Sequence, residues 1–331
     1  MTDRPDLTAI VVTWNTRDMT LDCLETLHGS IGALGAEIFV VDNGSSDGTA
    51  EAVSQRFPSV RLIVNPDNRG FAAANNQAIG ASSGRYILLV NSDVVVEKGT
   101  LAALVAFMDA TPRAGAAGAQ LVSRTGRLEH SAAAFPSLAT ELLNKSLLRA
   151  LMPSHYAAGK DKADSPTQVD SVLGACMIVR REAVESVGAF DEDFFFFLEE
   201  TDWCRRMRNA GLEIYLVPSA RAIHLKGRSK SPFRAEARVE YYRSLYRYFR
   251  KHSGPATRFF LRVGKLVKVA LNFVMLTAAN AFTVFCVDGL REKLRIYSVL
   301  FGWHLAFCPD GIGLPGKKNE RPPSPFLSKS K

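Results

Sequence analysis

Three carboxylates within four positions, Glu199, Glu200 and Asp202, directly follow a run of four phenylalanines at residues 194–197 and a single leucine. Burial beside apolar rings raises the pKa of a carboxyl group, and neighbouring negative charge raises it further, so one member could accept a proton near neutral pH. The cluster is therefore a candidate general base. The alternative is a buried strand followed by the acidic first turn of a helix, capped by Thr201 or Asp202.

A second group of polar residues follows three apolar stretches in the first hundred residues. The group comprises Thr13, Asn15, Asp42, Asn91, Ser92 and Asp93. A carboxylate such as Asp93, at the end of an apolar stretch, could bind a divalent cation, because Mg²⁺ takes one or two carboxylates while substrate phosphates complete its shell. The alternatives are an ordinary Asp-Asn-Gly turn at residues 42–44 and a simple loop at residues 91–93.

A third signal is weaker on its own. Arg69 and Gly70 precede a segment of small residues that includes Asn75. A cation and a glycine ahead of a helix favour close approach to phosphate groups.

The elements that must position these residues are predicted from their periodicity. Residues 7–14, 37–42, 60–65 and 86–90 are typical of buried strands, and helical periods begin at residues 15, 49 and 72. Strands that alternate with helices predict an α/β fold in which helices flank a mostly parallel central sheet. Ligands bind beyond the carboxyl ends of such strands, where the polar residues of the second group fall.

Charge is distributed unevenly along the 331 residues. Residues 1–204 hold 16 Lys and Arg against 26 Asp and Glu, whereas residues 205–331 hold 25 against 7. This asymmetry indicates an anionic partner for the C-terminal part, and a membrane surface is favoured over nucleic acid. A solvated basic face is the alternative. The five cysteines are widely spaced, without a Cys-x-x-Cys pair, and are predicted to be mostly reduced core residues.

Together these residues resemble family 2 inverting glycosyltransferases of the GT-A fold, particularly the rhamnosyltransferase-like branch. The resemblance spans about residues 7–230. Its motifs, in the order the family has them, lie at residues 11–15, 40–49, 68–76, 89–93, 174–181, 188–192, 194–203 and 224–229. Each motif is unspecific alone, and their common order carries the resemblance.

The resemblance implies a nucleotide diphosphate sugar donor. Asp42 would contact a pyrimidine base in a pocket lined by Thr13 and Asn15, with Arg69 and Asn75 near the nucleotide. Gly174 and Ala175 would lie under the donor sugar and the acceptor.

The resemblance also implies a divalent cation, Mg²⁺ or Mn²⁺. Asn91, Ser92 and Asp93 are similar to the family's Asp-x-Asp metal motif with its first acid replaced, so Asp93 would be the main carboxylate ligand. His224 would complete the metal or pyrophosphate site, and the basic residues of 226–234 would form a flap over the diphosphate. Metal and basic side chains would neutralise the growing charge of the leaving group.

The family's catalytic base falls on Glu200. Glu199 is the second choice, and Asp202 would orient the base or the acceptor. The acceptor is expected to be a saccharide, and a lipid-linked saccharide is favoured. The transfer would then belong to the biosynthesis of a cell-surface polysaccharide. Residues 123–169 are expected to shape the choice of acceptor.

Three parts are predicted along the chain: a catalytic domain at residues 1–235, a basic and aromatic helical extension associated with the membrane at 236–308, and a disordered tail at 309–331. Aromatic and basic residues alternate over 241–251, as in an interfacial helix on anionic lipid. Residues 269–287 carry no charge, and this stretch is just long enough for a helix that crosses a bilayer. Recurring Asn and Thr favour a helix that lies in or dips into the membrane.

The N-terminal apolar run is too short for a signal peptide. We therefore expect a cytoplasmic enzyme, peripheral on the cytoplasmic face of the cell membrane. A processive synthase remains an alternative, but its Gln-x-x-Arg-Trp motif is missing, and a sugar nucleotidyltransferase would need a Gly-rich N-terminal loop. A non-catalytic nucleotide-sugar-binding protein would not need the acids at residues 199–202.

Overall fold

The computed structural model describes residues 4–143, 164–225, 234–310 and 312–314. Its strands are β1 (Leu7–Thr13), β2 (Ala36–Asp42), β3 (Arg61–Val64), β4 (Tyr86–Asn91), β5 (Val94–Val96), β6 (Ala114–Val122), β7 (Ala132–Ala133), β8 (Thr167–Gln168), β9 (Ser171–Val172), β10 (Cys176–Arg180) and β11 (Glu213–His224). Its helices are α1 (Arg17–Ile31), α2 (Thr49–Arg56), α3 (Phe71–Ala81), α4 (Thr100–Ala110), α5 (Leu138–Leu142), α6 (Arg181–Val187), α7 (Glu199–Asn209), α8 (Arg234–His252), α9 (Pro255–Phe282) and α10 (Asp288–Leu305).

Within the described residues, nine strands form one mixed sheet in the order β3-β2-β1-β4-β10-β6-β11-β5, with β8 paired to β11. The first four are parallel, as are β6 and β11, whereas β10 runs antiparallel to both of its neighbours. The predicted α/β fold with a mostly parallel sheet is confirmed. The short β7 and β9 form a separate antiparallel pair.

An apolar core lies on each face of the sheet, because its central strands carry apolar side chains on both faces. One core packs α1 and α4 against the sheet, and the other packs α3, α6 and α7 against it. Because strands buried on both faces are apolar throughout, the polar residues of β1, β2 and β4 concentrate at their ends. Thr13 pairs with Asp42, and Val12 with Asn91, so these ends lie side by side.

Helices α8, α9 and α10 follow the sheet domain and pack against it and against each other. Two further apolar clusters hold them: one joins Phe194 to α8 and α9, and the other joins α8, α9 and α10. Tyr242, Tyr248 and Phe249 are buried within these clusters. The interpretation of 241–251 as a lipid-facing segment was therefore wrong for these three aromatic side chains, which face protein.

Residues 269–287 lie mostly within the 28-residue α9 and extend through the turn after it. Within the ranges described above, the helices all lack the combination of length and apolar character that a membrane crossing needs. Residues 144–163 of the predicted acceptor-shaping region, residues 226–233 of the predicted flap, and the tail from 315 onward lie outside the described residues.

Candidate active site

The carboxyl ends of β1 and β2 form a pocket around a buried carboxylate. Asp42 is 1% exposed, and its Oδ1 accepts the backbone N–H of Ser45 at 2.7 Å. Its Oδ2 is also buried but has no hydrogen-bond partner. A buried acceptor without a donor is costly, so this oxygen is suited to an N–H group from a ligand.

Asn15 and Thr13 line the same edge. The Asn15 side-chain oxygen accepts the backbone N–H of Ser46 at 2.8 Å, and the backbone N–H of Asn15 donates to Ser45 Oγ at 2.9 Å. These bonds hold Asn15 in the left-handed region, with φ 53°. Buried Thr13 instead bonds to Thr20 at 2.7 Å, so it supports the pocket from beneath.

The turn after β2 is tied to the segment that precedes α3. The Asn43 side chain accepts the backbone N–H of Arg69 at 3.1 Å and donates to the carbonyl of Gly70 at 3.2 Å. A Cβ on Gly44 would lie 2.7 Å from the Cα of Asp67, so only glycine allows this approach. Half-buried Arg69 is thereby brought beside the pocket.

Asn75 lies in the first turns of α3. Its Nδ2 donates to the carbonyl of Phe71 at 2.9 Å, while its buried Oδ1 has no partner. Like Asp42, it offers an unsatisfied acceptor at the ligand edge of the sheet.

Asp93 and His224 meet where β4 ends and β11 pairs with β5. Asp93 Oδ1 lies 3.4 Å from His224 Nε2, and less than a fifth of each side chain is exposed. The backbone N–H of Leu225 donates to the Asp93 carbonyl at 2.9 Å, which fixes the two chain segments together. The structure thus joins two residues that are 131 positions apart and were predicted to share one metal site.

The neighbouring residues of the same turn are held from both sides. Ser92 Oγ lies 3.0 Å from Thr16 Oγ1, and the Asn91 N–H donates to the Ala175 carbonyl at 3.0 Å. Among the described residues, no cluster of three or more His, Cys, Asp or Glu side chains is arranged to hold a metal. A cation at Asp93 and His224 would therefore need ligands from the substrate and water.

The phenylalanine run forms neither strand nor helix, and α7 begins immediately after it at Glu199. The alternative of a buried strand and a solvated, acidic helix start was right only in the acidic first turn: Leu198 is the N-cap without a side-chain cap, and Glu199 and Asp202 are buried. Phe197 and Leu198 both adopt positive φ, at 70° and 64°. Consecutive left-handed residues other than glycine are strained, and such strain persists where surrounding contacts enforce it.

The contacts that enforce this turn come from two sides. On one side, the Phe195 carbonyl accepts the N–H of Phe71 at 2.8 Å, and a Cβ on Gly70 would collide with it at 2.5 Å. On the other side, Ser244 of α8 donates to the Phe196 carbonyl at 2.8 Å. The turn that presents the acids is thus clamped between α3 and α8.

Glu199 and Glu200 are both held in an environment that favours the protonated form. Burial raises the pKa of Glu200 to about 7, and burial together with the charges of Glu200 and Glu240 raises the pKa of Glu199 well above its usual range. One oxygen of each side chain is buried without a partner. Glu200 retains partial exposure, whereas Glu199 is 4% exposed.

Gly174 lies directly beside Glu200. A Cβ on Gly174 would be 3.8 Å from the Cβ of Glu200 and 3.6 Å from the Phe71 ring, which is ordinary contact. Gly174 and buried Ala175 therefore place only small side chains beside the acid. Phe71 was not predicted as a site residue, and its place after the Arg69-Gly70 pair was the available signal.

Asp202 differs from its neighbours because it is fully paired. It is wholly buried, with His252 Nε2 at 2.7 Å, Arg206 Nε at 2.9 Å and Lys251 Nζ at 3.0 Å. Burial alone would raise its pKa, but the His252 hydrogen bond and the charges of Arg206 and Lys251 outweigh burial and lower the pKa to about 2. In the structure Asp202 faces α8, so any influence on the base passes through the helix they share.

Helix α8 therefore contributes to the site, which sequence reasoning missed. Lys251 also contacts Asp191 at 2.7 Å, and Arg247 donates to the carbonyl of Asp193. Glu240, fully buried and paired with Arg243 at 2.5 Å, lies close enough to raise the pKa of Glu199. The interleaved acidic, basic and aromatic residues of 240–252 were the available signal.

Comparison with known proteins agrees with this geometry. The family model for Glycosyl transferase family 2 matches residues 8–188. N-acetylglucosaminyl-diphospho-decaprenol L-rhamnosyltransferase of Mycobacterium tuberculosis is 32% identical over 233 residues, covering 66% of this chain and 76% of that protein. Rhamnosyltransferase WbbL of Escherichia coli is 25% identical over 205 residues, covering 60% of this chain and 76% of that protein.

A solved structure shares the fold. The mannosyltransferase PcManGT from Pyrobaculum calidifontis, in complex with GDP-Man and Mn²⁺, superposes with a TM-score of 0.53 and 18% identity, covering 92% of this chain and 87% of that chain. The family model spans more than half of the chain and includes the pocket of Asp42 and the turn of Asp93. The chain therefore belongs to glycosyl transferase family 2 and is an inverting, rhamnosyltransferase-like glycosyltransferase.

Proposed function

We propose that the protein transfers rhamnose, or a closely related sugar, from a nucleoside diphosphate donor to a saccharide carried on a lipid diphosphate. The observation that carries this proposal is the placement of Glu200 at the start of α7, beside Gly174, where burial raises its pKa to about 7. The names of the Mycobacterium tuberculosis and Escherichia coli relatives support the sugar, and that of the former also supports the class of acceptor.

Glu200 acts as the general base. With a pKa of about 7 it is substantially deprotonated at neutral pH and basic enough to take the proton of an acceptor hydroxyl. As that proton moves to Glu200, the hydroxyl oxygen bonds to the anomeric carbon, and the bond from that carbon to the diphosphate oxygen breaks. Attack opposite the leaving group inverts the anomeric centre.

The donor is held at the carboxyl ends of β1, β2 and β4. Asp42 Oδ2 accepts the imino N–H of a uracil or thymine base, which satisfies its buried lone pair. Asn15, Arg69 and Asn75 line the path from the base to the diphosphate. Asp93 and His224 would hold a divalent cation, which would neutralise charge on the diphosphate. Because Mg²⁺ takes oxygen ligands, the imidazole of His224 favours Mn²⁺.

The lipid carrier implies work at the cytoplasmic face of a membrane, with the enzyme attached peripherally. The exposed apolar side chains of α9, among them Phe259, Phe260, Val267 and Met275, support this attachment. Basic residues outnumber acidic ones by seven to two over residues 255–305, which suits an anionic surface.

The test is nucleoside diphosphate release from a panel of thymidine and uridine diphosphate sugars. Each donor is supplied with a lipid-diphosphate-linked N-acetylglucosamine acceptor, in Mg²⁺, in Mn²⁺ and in a chelator. We expect acceptor-dependent release from thymidine diphosphate rhamnose, with Mn²⁺ at least as effective as Mg²⁺ and little release in chelator. Absence of release from every donor would contradict the proposal.

A further inference from the structure

A cleft of about 790 Å³ opens beside α7. Its walls are the segment 134–140, the C-terminal half of α7 and the junction of α8 with α9. Arg205 and Arg208 line it, whereas Glu200 in the first turn of α7 does not. The cleft is therefore distinct from the donor pocket but shares a helix with the base.

The two arginines of the cleft are not neutralised by protein. Neither has a carboxylate within ion-pair distance among the residues described, and the Nε of Arg205 is buried without a hydrogen-bond partner. Arg206, between them in sequence, shows the contrast: it pairs with Asp202 and donates to the carbonyls of Val187 and Ala189. Arg206 is structural, while its neighbours keep unused donors.

The Arg205 guanidinium is held in one orientation. Its Cζ lies 4.8 Å from the centroid of the Phe135 ring, a stacking distance that fixes the guanidinium plane. A planar guanidinium with fixed orientation can bind a phosphate through two parallel hydrogen bonds. Arg208, three residues further on, lies on the same face of α7.

One acid lies among these groups. Asp170 also lines the cleft, and its Oδ2 accepts the backbone N–H of Phe135 at 3.0 Å. Two guanidinium groups against one carboxylate leave an excess of positive charge. The remaining polar side chains are the hydroxyls of Ser137, Thr140, Ser253 and Thr257 and the amide of Asn209.

We propose that this cleft binds the diphosphate of the lipid-linked acceptor, with Arg205 and Arg208 as its cationic contacts. The proposal rests on the proposed function. Arg205 lies five residues beyond Glu200, about 7.5 Å along the axis of α7, so the cleft lies on the helix that carries the base. Beyond Thr257, at the far wall, lie the exposed Phe259 and Phe260 of α9, where a lipid chain would leave.

The test compares two acceptors that carry the same sugar, one on a short-chain lipid diphosphate and one on an uncharged alkyl group. The double variant Arg205→Gln/Arg208→Gln should raise the KM for the diphosphate acceptor by about 10- to 100-fold, as expected for lost charge-assisted hydrogen bonds. Its KM for the donor, its slow hydrolysis of donor by water and its use of the alkyl acceptor should not change.

Arg113→Gln is the matched control, since Arg113 is 75% exposed on the sheet domain and does not line the cleft. The single variants Arg208→Gln and Arg205→Lys keep the test valid if the double variant does not fold. Arg205→Lys keeps the charge, so it should retain part of the wild-type affinity for the diphosphate acceptor. Inorganic pyrophosphate should inhibit the wild type with the diphosphate acceptor more than the double variant. An equal loss with both acceptors, or an unchanged KM for the diphosphate acceptor, would overturn the proposal.

These readouts separate the two proposals. Acceptor-independent donor hydrolysis by the wild type reports the donor site alone, so its presence supports the proposed function whatever the cleft variants show. If hydrolysis and transfer are both absent in the wild type, the proposed function fails and the cleft proposal fails with it.

Discussion

Glu200 and Asp202 lie two residues apart on one helix, yet the pKa of the first is raised to about 7 and that of the second is lowered to about 2. Burial acts on both. Asp202 has three cationic or hydrogen-bonding partners that overcome burial, whereas the backbone N–H groups of Glu200 and Thr201 lower the pKa of Glu200 less than burial raises it. Burial and the nearby charges of Glu200 and Glu240 raise the pKa of Glu199 well above its usual range.

We expect Glu200→Gln to lower kcat by at least about 100-fold, because general-base catalysis contributes that much or more. The KM for the donor should change little, since Glu200 lies on the acceptor side. In the wild type, kcat/KM should fall as pH is lowered through about 7, because the raised pKa leaves less carboxylate below it. Steady-state kinetics from pH 5 to 9 provide the measurement.

The matched control is Glu199→Gln, which keeps the shape of a neighbouring side chain whose pKa is raised by burial and by the charges of Glu200 and Glu240. Its kcat should stay within about tenfold of wild type, a smaller loss than removal of a general base causes. Near-normal turnover by Glu200→Gln together with an inactive Glu199→Gln would reassign the base to Glu199.

At the scale of elements, α8 fixes the turn that presents the acids. Its residues contact that turn at Asp191, Asp193 and Phe196, and the start of α7 at Asp202. The strained Phe197 and Leu198 are enclosed by these contacts. The helix therefore supports the candidate active site, although it follows the segment that the family model matches.

We expect Asp202→Asn to destabilise the fold by about 3 kcal/mol, because it leaves half-buried Arg206 without its counter-charge and removes a buried carboxylate from His252 and Lys251. The pKa of Asp202 is lowered on folding, so its stabilising effect is present above its usual pKa and is lost as pH falls towards 2. Urea unfolding at several pH values provides the measurement, and the variant should lose less stability on acidification.

Asp109→Asn is the control for this experiment, since Asp109 is also paired with an arginine but is 46% exposed. It should cost less than about 1 kcal/mol, as surface pairs do. Equal effects of the two substitutions would show that Asp202 does not anchor α8 to α7.

The strands and their polar ends could be predicted from sequence because they depend on local pattern. Continuous apolar stretches predict parallel strands that are buried on both faces, and Asp42 and Asp93 lie where those stretches end. The pairing of Asp202 with His252 could not be predicted, since the residues are 50 positions apart and no periodicity connects them. Aromatic and basic residues in α8 suit a protein interface as well as a lipid surface, so composition did not decide between them.

At the scale of the whole molecule, the basic excess of the C-terminal part is divided between two uses. In α8, Arg243 and Lys251 are paired with acids of the protein. In α9, Arg258, Arg262 and Lys268 accompany an exposed apolar face. The inner face of α9 packs through Leu261 and Val269, so the helix is amphipathic in the way that interfacial helices are.

The exposed face of α9 predicts binding to anionic vesicles. Phe259 and Phe260 are 63% and 59% exposed, and burial of such a side chain in lipid contributes about 2 kcal/mol. Phe259→Ser/Phe260→Ser should therefore weaken binding by at least about tenfold, as measured by co-flotation with vesicles that contain phosphatidylglycerol. Raised salt should weaken the wild type, because screening reduces the attraction of its basic side chains.

Val64→Ser provides the control, because Val64 is an equally exposed apolar residue, at 58%, on the sheet domain. It should float as the wild type does. Vesicle binding that is unchanged by the phenylalanine substitutions, or equally reduced by Val64→Ser, would refute α9 as the membrane contact. If instead only the α9 variant is released while it still uses a short-chain acceptor in solution, the face serves to bring the enzyme to lipid-linked substrate and takes no part in the chemistry at Glu200.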